Sequence, residues 1–264
     1  MAITEYPIPE NCEIDRHFFL DPRWPVFFHD NHLLAVYKPA GLLTQGDRTG
    51  DVNLLDLGKG WLKALYDKPG NVFLGMVHRL DRPVAGVVVF ARTSKAAGRL
   101  SRQFRERRVE KSYLAVVDGV TPGESGRLVH YIERSNRGSW VAPRATPHGR
   151  EASLRYRVLD RDGRRSLLRI QLETGRRHQI RIQMAHTGCP ILGDLRYGAT
   201  AALPGRQIAL LAHHLEIDHP TRGERVVLTC PQPRGWPWPD RSIADDDRPP
   251  WDWRTFGLLF NRVS

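Results

Sequence analysis

Apolar residues along this chain fall into short blocks, and the spacing inside each block separates strands from helices. Val26-Phe27-Phe28-His29 and Leu33-Leu34-Ala35-Val36-Tyr37 flank the turn-forming Asp30-Asn31-His32, which predicts a hairpin ended by Lys38-Pro39-Ala40-Gly41. Leu54-Leu55-Asp56-Leu57 and the run from Trp61 to Tyr66 carry helical spacing, and the apolar run within 86–91 predicts a strand. Thr93-Ser94-Lys95 can cap a helix over 94–107 that puts Ala97, Leu100 and Phe104 on one face and arginines on the other. Between 113 and 172, β-like runs at 113–118, 153–159 and 166–172 alternate with polar, Gly-containing breaks, as in an antiparallel sheet. A helix follows over 178–187, with Ile180 and Met184 near helical period and Gly188 as its stop. Residues 206–217 and 224–230 form a last strand pair around His219-Pro220-Thr221-Arg222-Gly223. The expected class is α+β, with a mixed, largely antiparallel central sheet flanked by helices. Residues 1–25 read as an N-terminal extension, 26–233 as one domain of two lobes, and 234–264 as an irregular tail.

Composition narrows the class. At 264 residues and 41% hydrophobic the chain can bury a sizeable core. It has no apolar run long enough to cross a bilayer and no signal-peptide pattern at Met1-Ala2-Ile3-Thr4, so a cytoplasmic protein without a membrane is expected. Cys12, Cys189 and Cys230 lack metal-ligand spacing and read as free thiols in a reducing compartment. Adjacent His213 and His214 on a strand point to opposite faces and cannot readily share an ion, so no metal is expected. Walker-type, GxGxxG, GxSxG and HExxH patterns are all missing, which weakens the nucleotidase, dinucleotide-enzyme, serine-hydrolase and zinc-protease classes.

Charge changes the picture further. The 40 Lys and Arg outweigh 29 Asp and Glu, for a formal +11 and a pI near 10.0, a balance that favours a polyanionic partner through counterion release. Arginines concentrate in 99–111 and 155–181, and their planar fork suits phosphates and bases better than lysine does. A DNA-binding regulator would need a helix-turn-helix or zinc pattern, and neither is visible.

Residues 77–86, Val-His-Arg-Leu-Asp-Arg-Pro-Val-Ala-Gly, set Asp81 between Arg79 and Arg82 just before an apolar run. A carboxylate with an ordinary pKa of about 3.9 is ionised at neutral pH, and two flanking guanidinium groups hold it so. Such a group suits nucleophile or base work rather than general acid work. An isolated segment of this kind equally describes a surface turn entering a strand. Three further blocks stand in order with it: Val36-Tyr37-Lys38-Pro39-Ala40-Gly41-Leu42-Leu43, Glu110-Lys111-Ser112-Tyr113-Leu114-Ala115-Val116-Val117, and Thr174 to Gly198, which includes Arg176-Arg177-His178-Gln179-Ile180-Arg181. Together the four resemble the RluA-type family of pseudouridine synthases, over about residues 25 to 233. Where that family more often shows Thr-Ser-Gly, this chain has Val84-Ala85-Gly86; two hydroxyls are missing and the glycine is kept.

The resemblance implies a catalytic domain over 26–233 with a cleft between its lobes, and isomerisation of uridine in ribosomal or transfer RNA. The glycosidic bond breaks at the anomeric carbon and re-forms at carbon 5 of the same uracil. One carboxylate suffices because the base stays in the pocket and no water enters, unlike in glycosidases, which need two. Asp81 would either attack the anomeric carbon or take the neighbouring 2′ proton. By resemblance Tyr113 stacks on the detached base and accepts the carbon 5 proton, Arg181 pairs with Asp81, and Arg79 fills the gap left by a flipped uridine. His78, Arg82, Arg176, Arg177, His178 and Gln179 are the further expected RNA contacts. No cofactor, metal or obligatory protein partner is implied, and a monomer is expected. The alternative from another class is a non-catalytic RNA-binding or RNA-folding protein on the same scaffold; it would be marked by a lost Asp, Tyr or Arg at the matched positions, and all three are present.

Overall fold

A computed structural model describes residues 25–135, 138–143, 146–239 and 248–249. The N-terminal extension through residue 24, Cys12 and the acidic run Asp245-Asp246-Asp247 lie outside the described residues. In chain order the elements are β1 (Val26–His29), β2 (Leu33–Lys38), α1 (Leu54–Leu65), β3 (Gly75–Met76), β4 (Ala85–Ala91), α2 (Ser94–Arg105) and β5 (Glu110–Asp118). They continue with β6 (Ser125–Ser135), β7 (Gly138–Ala142), β8 (Arg150–Asp162), β9 (Arg165–Leu172), α3 (Gln179–His186), β10 (Leu210–Asp218) and β11 (Arg225–Thr229). A mixed α+β fold rich in sheet and poor in helix results.

The described chain divides into two compact units. The first takes residues up to Glu110 together with His214–Gly235 and the described residues 248–249 of the tail. Here β1 and β2 form the expected hairpin, with a bulge between Val26 and Phe28, and β2 pairs antiparallel with β4 from Leu33↔Ala91 to Lys38↔Gly86. All residues of β2 and β4 are buried, which explains their unbroken apolar runs: neither strand has a solvent face to mark with polar residues. The blocks 54–57 and 61–66 are one helix, α1, because Asn53 caps it by accepting from the Asp56 N–H and the intervening glycines do not break it. Thr93 caps α2 in the same way. The buried stripe of α2 is Ala96, Leu100 and Gln103, with Ala97 and Phe104 only half-buried, a rotation of the expected apolar face. The last strand pair is β10 and β11, with His214↔Thr229 to Asp218↔Arg225 in register; its first strand opens at Leu210 rather than at 206.

The second unit is Lys111–His213 with 236–239. Its ladders run antiparallel from β5 to β9, β9 to β8, β8 to β6 and β6 to β7. In β8, Leu154, Tyr156 and Val158 are buried while Arg155 and Arg157 are exposed, the period of two expected for a half-buried strand. Strands β6 and β7 carry no apolar block, because most of β6 is only half covered and alternates with polar residues such as Arg127, His130 and Glu133. Helix α3 packs on this unit through Ile182, against Ile132 and Ala152.

Candidate functional site

The segment carrying Asp81 is irregular and fixed through its backbone. Thr44 Oγ1 accepts from the Leu80 N–H at 3.2 Å and donates to the Leu80 carbonyl at 2.8 Å. On the other side of Asp81, the Gly41 N–H donates to the Arg82 carbonyl at 2.8 Å, and Arg82 Nε donates back to the Gly41 carbonyl at 2.9 Å. The Val84 N–H closes a turn on the Asp81 carbonyl at 3.0 Å. Lys38, fully buried at the end of β2, completes the clamp: its Nζ donates to the carbonyls of Pro39, Arg82 and Val84 at 3.0, 3.1 and 2.8 Å. Three donors meet three acceptors, so a buried ammonium keeps its hydrogen bonds. Burial nevertheless drives its pKa down to about 7, with the Asp81 charge opposing that drop and Arg82 adding to it.

Asp81 itself is half-buried, between buried Leu80 and exposed Arg79 and Arg82. Arg79 has no partner among the described residues, whereas Arg82 pairs with Asp51 at 2.8 Å. The His78 ring stacks on Phe104 of α2, centroids 4.8 Å apart and planes 17° apart, and its Nε2 accepts from the Val89 N–H at 2.9 Å. This hydrogen bond puts the proton of a neutral ring on Nδ1. Val84 and Ala85, which stand where the family more often has hydroxyls, are buried, so a hydroxyl here would need a partner in an apolar setting. Gly86 adopts φ 130°, a conformation that L side chains rarely take, which accounts for the glycine being kept.

In the second unit Tyr113 is half-buried on β5, opposite Ile170 of β9. Arg181 is buried on α3, and its guanidinium makes a two-point pair with buried Asp194, Nε to Oδ2 at 2.7 Å and an Nη to Oδ1 at 2.8 Å. The Tyr197 ring lies 4.9 Å from the guanidinium carbon, and its hydroxyl meets His178 Nδ1 at 2.7 Å. His178 caps α3 from the left-handed region, φ 55°, so the chain turns sharply before the helix. The expected RNA contacts around it separate. Arg177 is exposed and Arg176 half-buried, with Nε on the Glu151 carbonyl. Gln179 faces inward: its Oε1 accepts from Thr174 Oγ1 and the Arg176 N–H, and its Nε2 donates to the Ser153 carbonyl. Its amide is thus spent on the protein.

Lys38, Thr44, Asp194 and Tyr197 gained no role from the sequence. Lys38, Asp194 and Tyr197 lie inside the family-like blocks, yet their partners are 44, 13 and 19 positions away, beyond any local spacing rule. Among the described residues, no cluster of His, Cys, Asp and Glu is placed to hold a metal, and no helix is long and apolar enough to cross a membrane.

Comparison with known proteins identifies the family. The sequence profile of the RNA pseudouridylate synthase family matches residues 32–186. An RNA pseudouridine synthase of Bacillus subtilis, YhcT, is 32% identical over 229 residues, covering 86% of this chain and 71% of that protein. Ribosomal large subunit pseudouridine synthase D of Nitrosomonas europaea is 35% identical over 224 residues, 79% of this chain and 62% of its own. Among solved structures, human RNA pseudouridylate synthase domain containing 4 aligns with a TM-score of 0.68 at 25% identity, covering 80% of this chain and 89% of that one. A profile match spanning more than half of the sequence makes this chain a member of the RNA pseudouridylate synthase family, RluA-type isomerases that act on RNA.

Proposed function

We propose that the chain converts uridines of ribosomal RNA to pseudouridine, with Asp81 as the essential carboxylate. The observation that carries this reading is the double clamp on the Asp81 backbone: Thr44 grips Leu80, and Lys38 and Gly41 grip Arg82, so the one carboxylate between them is held in place before substrate arrives. Pre-positioning of this kind lowers the entropic part of a barrier. In the reaction the anomeric C1′–N1 bond breaks and a C1′–C5 bond forms. Asp81 acts on the sugar, either at C1′ or on the 2′ proton; the carbon 5 proton leaves to Tyr113, and N1, which keeps the electrons of the broken bond, takes up a proton, so the product is an isomer of the substrate. Arg181 sets the electrostatics of the carboxylate, and Arg79 enters the stack vacated by the flipped base, whose extrusion costs a few kcal/mol. Several relatives are named ribosomal large subunit pseudouridine synthase D, which favours ribosomal over transfer RNA as substrate.

Asp81→Asn tests the assignment, since an amide keeps the shape but can neither attack nor accept a proton. It is expected to form no pseudouridine on ribosomal RNA while binding that RNA normally. Turnover by purified Asp81→Asn protein would overturn the assignment. Pseudouridine mapping of total RNA from a deletion strain identifies the substrate, and a missing site confined to transfer RNA would overturn the ribosomal reading.

A further inference from the structure

The family acts on a polyanion, and several arginines among the described residues are already neutralised by carboxylates. Arg108 pairs with Glu106 and Asp218, Arg225 with Glu110, Glu216 and Asp218, and Arg222 with Asp30 and Glu224. Helix α2 is different. Lys95, Arg102 and Arg105 are exposed on the face opposite Ala96, Leu100 and Gln103, and none of the three has a partner among the described residues. Arg99, between them on the same face, donates to the Pro220 carbonyl, a neutral acceptor that leaves its charge in place. No acidic residue lies between Thr93 and Arg105. The cations span about 15 Å along the helix axis at 1.5 Å per residue.

Helix electrostatics do not explain this stripe. Cations in the last turn suit the negative end of the helix dipole, which would account for Arg102 and Arg105. Lys95 and Arg99 stand in the first half, where the dipole disfavours positive charge. Lys95 with Arg99, Arg99 with Arg102, and Arg102 with Arg105 are also like-charge neighbours at spacings of four, three and three, each unfavourable to an isolated helix. Just beyond, Arg107 adopts φ 58° with the Arg108 N–H on the Gln103 carbonyl, a helix-ending position that glycine usually fills. The segment is built against its own stability and toward an external anion. It also adjoins the candidate site within one unit, because Phe104 on α2 stacks under His78, next to unpartnered Arg79 and three residues before Asp81.

We propose that the solvent face of α2, through Lys95, Arg102 and Arg105 with Arg107 at its end, docks the ribose-phosphate backbone of the RNA that carries the target uridine. The proposal rests on the family's action on RNA and not on the role of Asp81, so it is tested by binding. The probe is a fluorescein-labelled stem-loop RNA with a uridine-rich loop, titrated with the full chain over a range of KCl. Arg102→Gln/Arg105→Gln is compared with Arg157→Gln/Arg169→Gln, an equal change of charge on exposed arginines that face each other across β8 and β9. The α2 pair is expected to bind about tenfold more weakly and to flatten the salt slope by about two, and the strand pair to change the slope little. Equal losses in both variants would mean that only net charge matters, and a larger loss in the strand pair would move the surface to the sheet; either overturns the proposal. Lys95→Glu separates docking from structure, since it removes a dipole mismatch and a repulsion. It should raise the melting temperature and weaken RNA binding together, whereas a lowered melting temperature or unchanged affinity would remove Lys95 from the surface.

Discussion

Lys38 and Arg181 are both buried cations, one in each unit, and they are kept there by different chemistry. Lys38 is solvated by three backbone carbonyls, and its charge is a compromise, with a pKa of about 7. Arg181 is met by a carboxylate through two hydrogen bonds and by the Tyr197 ring, and a guanidinium does not give up its proton. The lysine orders a loop by holding its carbonyls; the arginine is itself what is held. The first grip is therefore sensitive to pH, and the second is not.

Removing one half of the Arg181–Asp194 pair should have the largest effect, because the surviving charge stays buried without its partner. Asp194→Ala is expected to cost about 3–5 kcal/mol in urea denaturation. A loss below about 1 kcal/mol would show that the guanidinium is adequately solvated by other groups. Lys38→Met should cost less, about 2 kcal/mol: the Arg82 carbonyl keeps the Gly41 N–H, and about 1 kcal/mol is forfeited at each of the other two. If Lys38→Met is as stable as the native chain, the clamp contributes nothing to the fold.

The pH dependence of the lysine sharpens the contrast most. Because the folded pKa of Lys38 lies below its ordinary 10.5, the unfolded chain binds a proton that the native chain has lost between about pH 7 and 10.5. This group alone therefore makes stability rise with pH across that window, and contributes no slope below it, where both states are protonated. Comparing the native chain with Lys38→Met from about pH 7 to 10 isolates the contribution. Identical slopes would place the lysine's folded pKa back at its ordinary value. Arg181 should add no slope over the same range.

The legibility of this molecule in its sequence followed solvent exposure. Strands β2 and β4 were readable as unbroken apolar runs, and helix α2 by apolar residues that repeat with the helical period. Strands β6 and β7 were not, since a half-covered ribbon lined with Arg127, His130 and Glu133 has the composition of a loop. Gln103 shows the same limit inside a helix that was recognised. It is buried where pattern reasoning puts an apolar residue, because its amide pairs with both the N–H and the carbonyl of Asp218, 115 positions away. Asp81, Tyr113 and Arg181 were picked out by resemblance to a family, whereas Lys38, Thr44 and Asp194 acquire meaning only when distant segments fold back on them.

The division of the first unit between stretches that precede and follow the second sets an order on synthesis. The hairpin turn at Asp30 bonds to His219 and Arg222, and α2 bonds through Arg99 and Gln103 to Pro220 and Asp218. None of these contacts can exist while residues 214–235 are still untranslated. The second unit lies almost wholly within 111–213, so its ladders form after β1, β2 and β4 of the first unit are made but before β10 and β11 complete that unit. At about 5–20 residues per second the intervening stretch takes roughly 5–20 s to emerge. For that interval the clamp on the Asp81 segment is already complete, whereas α2 lacks its bonds to Pro220 and Asp218 and the Asp30 turn lacks His219 and Arg222, so the basic helix is the part of the first unit that is secured last.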